Sequence, residues 1–142
     1  MKILLTGGMG FIGSSLVREL FFNSNHEILN IDNLSYASNT YSIPKEIKDS
    51  DRYSFLKINI VDQNKVEEIF HQFRPDKLVH LAAETHVDNS ISSPDIFLQS
   101  NVLGTFSLLE ASKKYLKNKN HSGDFMFHHI STDEVYGDLS ID

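Results

Sequence analysis

The chain has 142 residues, 40% of them apolar, and a formal net charge of −6. That is enough for one sizeable core, and the acidic balance disfavours nucleic acid as a partner, since the densest cationic stretch, 113–119, is interrupted by Tyr, Leu and Asn. With no cysteine there is neither a disulfide framework nor a thiolate metal site, and no apolar run approaches the roughly twenty residues of a membrane span, so a cytoplasmic protein with no membrane partner is expected.

In chain order, the first segment is Lys2–Ser14, KILLTGGMGFIGS. An apolar run meets glycines at Gly7, Gly10 and Gly13, and an apolar pattern of helical spacing follows at Leu16, Val17, Leu20 and Phe21. This reads as strand, tight turn and helix N-terminus, an arrangement whose free N–H groups and dipole bind a phosphate. Next, Glu27–Asp32 is expected as a short strand ending in an acid. About twenty residues beyond the glycines, such an acid can accept hydrogen bonds from both ribose hydroxyls of a dinucleotide and would repel a 2′-phosphate, which favours NAD over NADP.

Residues 33–52 are polar and irregular and are expected to form a long loop with one helical turn. Tyr53–Ile58 alternates as a third strand. Asp62 can cap a helix carrying Val66, Ile69, Phe70 and Phe73 on one face, which Pro75 stops. Lys77–Leu81 is expected as a fourth strand, and the longest helix runs from Pro94 or Asp95 to about Leu116, with Leu98, Val102, Phe106, Leu109 and Leu116 along one stripe. A linker at Lys117–Gly123 then leads to a fifth strand over Asp124–Ile130. Strands alternating with helices imply an α/β fold, a doubly wound parallel sheet of Rossmann type, here ending at about its fifth strand.

Ligands of such sheets bind beyond the carboxyl ends of the strands. After the fourth strand stands Ala82–Asp88, AAETHVD, where two alanines leave room for a flat group and Thr85 and His86 could reach a polar substrate. A lone histidine is more often structural than catalytic, and Glu84, His86 and Asp88 form a poor metal-ligand pattern, so no metal is expected. After the fifth strand comes Ser131–Gly137, STDEVYG. Adjacent carboxylates at Asp133 and Glu134 point in different directions from an extended loop, so one can donate a proton while the other accepts one, although a solvated acidic turn is the commoner fate of such a pair.

Taken together, TGGMGFIGS, Asp32 followed by Leu34, Ser35 and Tyr36, LAAETHVDNS, SNVLGT at Ser100–Thr105 and STDEVYG resemble the extended short-chain dehydrogenase/reductases. Within these, HVD after the alanines and TDEVYGD are similar to the sugar-nucleotide 4,6-dehydratases, and the last block is close to that of the enzymes acting on dTDP-glucose. The resemblance implies a tightly held NAD, with residues 1–142 as an incomplete cofactor-binding domain and a substrate domain outside them. By position it implies pyrophosphate contacts from the backbone of Phe11 and Ile12, and adenosine ribose contacts from Asp32, Asn33, Leu34 and Ser35. It places Asn59 and Ile60 at the adenine, Leu81, Ala82, Ala83 and Thr85 along the cofactor, and Ser100 near the nicotinamide. It puts Thr85 and Thr132 against the hexose of dTDP-glucose, with Asp133 as general acid and Glu134 as base.

Met9, Asn59, Thr85 and Asn89 replace the alanine, aspartate, serine and arginine usual in that family, which bears more on substrate choice than on NAD. The family's Tyr-x-x-x-Lys pair lies on a helix after STDEVYG, and none of the five tyrosines here is expected to supply it. The expectation is therefore a cofactor-binding part, inactive alone, that pairs through its long helix as a homodimer. A nucleotide-sugar 4-epimerase, a UDP- or GDP-sugar dehydratase, and a noncatalytic dinucleotide-binding module are the alternatives.

Overall fold

The computed structural model describes residues 1–117 and 124–137, apart from the side chain of Glu134. Most of the expected linker 117–123 thus lies outside the described residues, as does Asp138 at the end of the TDEVYGD motif. Five parallel strands form one sheet: β1 (Lys2–Thr6), β2 (Glu27–Asp32), β3 (Tyr53–Lys57), β4 (Lys77–His80) and β5 (Met126–His129), in the order β3-β2-β1-β4-β5. This is the expected doubly wound sheet. Its central strand has neighbours on both sides and helices on both faces, which is why Ile3, Leu4 and Leu5 form a continuous apolar run, each at most 3% exposed.

Alternation along the strands divides the core in two. Leu4, Leu29, Ile31 and Leu78 point to one face and pack under α3 (Gln63–Phe73) and α6 (Thr105–Lys117), against Val66, Ile69, Phe70, Leu108 and Tyr115. Leu5 and Ile28 point to the other face, covered by α1 (Phe11–Asn23) through Val17, and by Ile43 and Ile47. These two isoleucines belong to the segment expected as a loop. It contains a 3-10 turn at Thr40–Ser42 and the short α2 (Lys45–Lys48), and it acts as an apolar plug rather than as a solvated strap.

Helix α3 begins where Asp62 accepts a hydrogen bond from Lys65 N, as expected, and ends on Arg74 in the left-handed region at φ 53° before Pro75. Two further short helices, α4 (Val87–Ser92) and α5 (Pro94–Phe97), follow β4. Helix α5 continues through a π-helical segment, Leu98–Gly104, into α6, so the expected long helix exists but with one widened turn. The stripe Leu98, Val102, Phe106, Leu109 and Leu116 is its exposed face, each residue between 48% and 60% exposed. The buried face carries Gly104, Ser107, Leu108, Ala111, Ser112 and Tyr115, mostly small side chains that let the helix lie close to α3 and the sheet. Among the described residues no helix is long and apolar enough to cross a membrane.

Candidate functional site

The chain moves from β1 outward through β2 and β3, then returns to the other side of β1 with β4 and β5. A crevice therefore opens beyond the carboxyl ends of β1 and β4, at the point where the direction reverses. Continuations of the ladders bring the exits together: Gly7 N–H donates to Ile31 O at 3.0 Å, Ile58 N–H to Asp32 O at 3.0 Å, Leu81 N–H to Thr6 O at 3.1 Å and Ile130 N–H to His80 O at 3.0 Å. Every strand thus hands its following loop to the same rim.

The glycine turn forms the floor. Gly7 sits at φ +75°, and a Cβ there would also lie 2.6 Å from Ala82 N, so the conformation and the close approach of the β4 loop both require glycine. At Gly13 a Cβ would lie 2.1 Å from Gly7 O, so that glycine permits α1 to pack onto the turn. Gly10 is different: its Cβ would meet only Gly7 O, at 3.3 Å. It is the N-cap of α1, and no side chain caps it, leaving the helix dipole and the first N–H groups of a 13-residue helix available at the cleft.

Asp32, at the end of β2, is 5% exposed. Its Oδ2 accepts from Met9 N–H at 2.9 Å, and its Oδ1 from Leu34 N–H at 2.8 Å and Ser38 Oγ at 2.9 Å. The carboxylate thus binds the glycine turn to the next loop while remaining on the cleft wall. Beside it, Asn30 Oδ1 accepts from Gly8 N–H at 3.1 Å and Asn30 Nδ2 donates to Tyr53 Oη at 3.0 Å. Burial raises the Tyr53 phenol above its ordinary pKa.

The cleft holds about 560 Å³ of space open to solvent and brings together Gly7, Gly10, Asp32, Asn33, Ser35, Asn59, Ile60, Leu81, Ala82, Ala83 and Ser100. Of the residues that the resemblance assigns to the cofactor, Phe11, Ile12, Gly13, Leu34 and Thr85 do not line it, nor do His86, Thr132 and Asp133. The Phe11 and Ile12 side chains are 92% and 63% exposed. Four lining residues were not anticipated, Ile31, Ala37, Ser38 and Ile58; a further one, Glu84, lies within the 81–85 stretch expected along the cofactor. Ile31 and Ile58 could have been found as neighbours of the Asp32 and Asn59 positions. Ala37 and Ser38 lie in a loop without periodicity and carried no signal.

The second wall is pinned from behind. Asn101, in the π-helical segment, clamps Glu84: Glu84 N–H donates to Asn101 Oδ1 at 2.8 Å and Asn101 Nδ2 donates to Glu84 O at 2.9 Å. Gly104 makes room for Ile60, whose side chain a Cβ there would meet at 2.6 Å. A widened turn of this kind lets the same helix present Ser100 to the cleft and Asn101 to the loop.

Beyond β5, Thr132 and Asp133 are exposed, and Asp133–Tyr136 forms a 3-10 turn; the Glu134 side chain lies outside the described residues. His86 is exposed at the N-cap position of α4 and caps nothing with its side chain, and among the described residues no three His, Asp or Glu side chains gather as metal ligands. One expectation needs correcting. A Tyr-x-x-x-Lys spacing does occur here, at Tyr41–Lys45. Tyr41 lies in the 3-10 turn, 92% exposed, Pro44 separates it from the first turn of α2, and Lys45 pairs with Asp49, so the two residues share neither a continuous helix nor the cleft.

Residues 4–141 match the family model described as GDP-mannose 4,6 dehydratase. The chain belongs to this family. Among curated relatives, the dTDP-glucose 4,6-dehydratase of Salmonella typhimurium is 49% identical over 98% of this chain, and that of Haemophilus influenzae 48% over 99%. The chain spans 39% and 42% of their lengths. A dTDP-glucose 4,6-dehydratase from Streptomyces venezuelae, solved with NAD and TYD bound, superposes with a TM-score of 0.85 at 33% identity, over 100% of this chain and 42% of that one. Within this family, the crevice at the sheet's reversal point is the natural candidate site.

Proposed function

We propose that this chain is the cofactor-binding part of an NAD-dependent dehydratase that converts dTDP-glucose to the 4-keto-6-deoxy sugar, the substrate domain lying in the remaining length that the relatives possess. The observation that carries this is the pairing, in one cleft, of the uncapped α1 N-terminus at Gly10 with the Asp32 carboxylate at the end of β2, which is tied to the glycine turn through Met9 N–H. The two ends suit the two ends of an adenosine diphosphate: N–H groups and a positive dipole for phosphate, an acceptor for ribose hydroxyls. That chemistry fits NAD, and the negative charge of Asp32 opposes the extra phosphate of NADP.

When bound, NAD supplies a reversible hydride acceptor. The chain's own residues hold it and move protons. Backbone N–H groups of Phe11 and Ile12 hold the pyrophosphate, Asp32, Asn33, Leu34 and Ser35 surround the adenosine ribose, Asn59 and Ile60 take the adenine, and Leu81, Ala82, Ala83, Thr85 and Ser100 line the path to the nicotinamide. Thr85 and Thr132 hold the hexose. A ketone at C4 acidifies the C5 proton, which Glu134 removes; Asp133 protonates the C6 hydroxyl, the C6–O bond breaks and water leaves. An adjacent acid and base have no task in a 4-epimerisation, so the pair favours dehydration over that alternative.

The exposed apolar stripe on the long helix supports a homodimer formed through that face. Calorimetric titration of this chain with NAD and NADP tests the cofactor half: NAD is expected to bind and NADP to bind more weakly, and failure of both overturns the reading. Conversion of dTDP-glucose to an alkali-absorbing 4-keto product by the longer protein, lost in Asp133→Asn or Glu134→Gln, tests the rest.

A further inference from the structure

His80 ends β4 directly behind the cleft and is fully buried. It does not line the cleft, yet its ring is bonded at both nitrogens: Nδ1 lies 2.7 Å from Thr6 Oγ1 and Nε2 lies 3.0 Å from Thr105 Oγ1. The direction of each bond is fixed by what the two hydroxyls do next. Thr105 Oγ1 lies 2.7 Å from Asn101 O, a carbonyl that can only accept, so the Thr105 proton points there and its oxygen must accept from His80 Nε2–H. With the ring neutral, Nδ1 is then the acceptor and Thr6 Oγ1–H donates to it. The Thr6 oxygen keeps lone pairs for Ala82 N–H, which reaches it at 3.2 Å.

The result is one ordered chain: Ala82 N–H to Thr6 hydroxyl, to His80, to Thr105 hydroxyl, to Asn101 carbonyl. Thr6 precedes the glycine turn, Ala82 is on the cleft wall, and the Asn101 side chain clamps Glu84 on the same wall. No other assignment of protons satisfies the chain. With the proton on Nδ1, the Thr6 hydroxyl hydrogen has no acceptor in a fully buried position, and the Thr105 hydroxyl must give up Asn101 O to serve Nε2. An imidazolium orphans the Thr6 hydrogen in the same way.

We propose that His80, held as the neutral Nε2–H tautomer, is a positioning residue that fixes the spacing between the glycine turn and the Ala82–Glu84 wall and thereby sets the affinity of the cleft for its dinucleotide. The inference rests on the reading of this cleft as an NAD site. Two rings face the imidazole from β5: Phe127, with centroids 6.2 Å away, and His129, with centroids 4.9 Å away, the one titratable group among the described residues that bears on it. Burial, and then the neighbouring His129, lower its pKa to about 4, so the neutral form persists through the physiological range.

The test separates shape from hydrogen bonding. Thr6→Val and Thr105→Val keep the shape and remove the hydroxyl; Thr6→Ser and Thr105→Ser keep the hydroxyl and remove a methyl group. All four variants are expected to lose thermal stability. The dissociation constant for NAD, measured by calorimetry, is expected to rise about tenfold in the valine variants and to recover to within about threefold of the parent value in the serine variants. The nitrogen resonances of the His80 ring in the parent are expected to show an unprotonated Nδ1 and a protonated Nε2, unchanged between pH 8 and pH 5. Serine variants as weak as the valine variants, valine variants that bind like the parent, or a protonated Nδ1 would each overturn the proposal. If the parent itself does not bind NAD, the cofactor reading fails instead, and the ring resonances still decide the hydrogen-bond order.

Discussion

Met9 N–H donates to Asp32 Oδ2 at 2.9 Å, so the glycine turn and the acid twenty-three residues later are joined directly. Sequence patterns of this kind are commonly explained by the ligand alone. Here the acid has a second task, because its other oxygen accepts from Leu34 N–H and Ser38 Oγ. Asp32 organises the cleft itself as well as the contacts it offers a ribose.

Asp32→Ala therefore removes three accepted hydrogen bonds from a buried position. A loss of about 2 to 3 kcal/mol in urea unfolding is expected, since the donors are left in a site with little water. In the same variant the ratio of NAD to NADP affinity, read by calorimetry, should fall towards one. Unchanged stability with reduced NAD affinity would mean that the acid serves the ligand only.

Gly10 and Gly13 are alike in the motif and different in the structure. Gly13→Ala places a Cβ 2.1 Å from Gly7 O and should cost about 3 kcal/mol by forcing α1 off the turn. Gly10→Ala meets that oxygen at 3.3 Å and should cost about 1 kcal/mol or less, while its methyl group stands over the helix N-terminus and weakens NAD binding. Thermal melts and NAD titrations of the two variants should thus rank them in opposite order.

How much of this was legible in the sequence varied with the physical signal. The strands and α3 were, because alternation, the Asp62 cap and the Pro75 stop are local features. The plug formed by Ile43 and Ile47 was not, since two apolar residues four apart in a polar stretch do not reveal that they cover Leu5 and Ile28. Helix α4 buries none of its residues and so left no periodicity to find. The apolar stripe of the long helix was visible, but its solvent exposure was not, because the face that packs is built of small residues. Within the site, residues on strand ends could be placed by counting, whereas Ser38 and Asn101 depend on how loops fold back. His80 drew no notice, being one apolar-flanked histidine whose two partners lie 74 and 25 positions away.

His80 also gives the fold a pH dependence of definite sign. Its pKa is about 4 folded against 6.5 unfolded, so between these values the unfolded chain binds the additional proton. The stabilisation is complete above pH 6.5 and is lost as pH falls towards 4, amounting to about 3 kcal/mol over the whole interval. His26 shifts in the same direction, mainly through burial, and contributes with the same sign. Urea midpoints of the parent should therefore drop between pH 7 and pH 5 more steeply than those of His80→Gln, which is less stable at pH 7. Parallel pH profiles would show that His80 already titrates normally in the fold.

The exposed stripe yields the last expectation. Leu98, Val102, Phe106, Leu109 and Leu116 together present a contiguous apolar face along one helix, whereas scattered single apolar residues need no partner. Burying such a face against its own copy requires only a two-fold axis, and the small residues on the opposite side already anchor the helix to its own sheet. The parent should sediment as a dimer at micromolar concentration. Phe106→Glu, at a position 56% exposed, should convert it to a monomer. Because Phe106 has no part in either core cluster, the monomer should keep its secondary structure and its affinity for NAD. A monomeric parent would overturn the dimer, and a Phe106→Glu variant that remains dimeric would place the interface elsewhere.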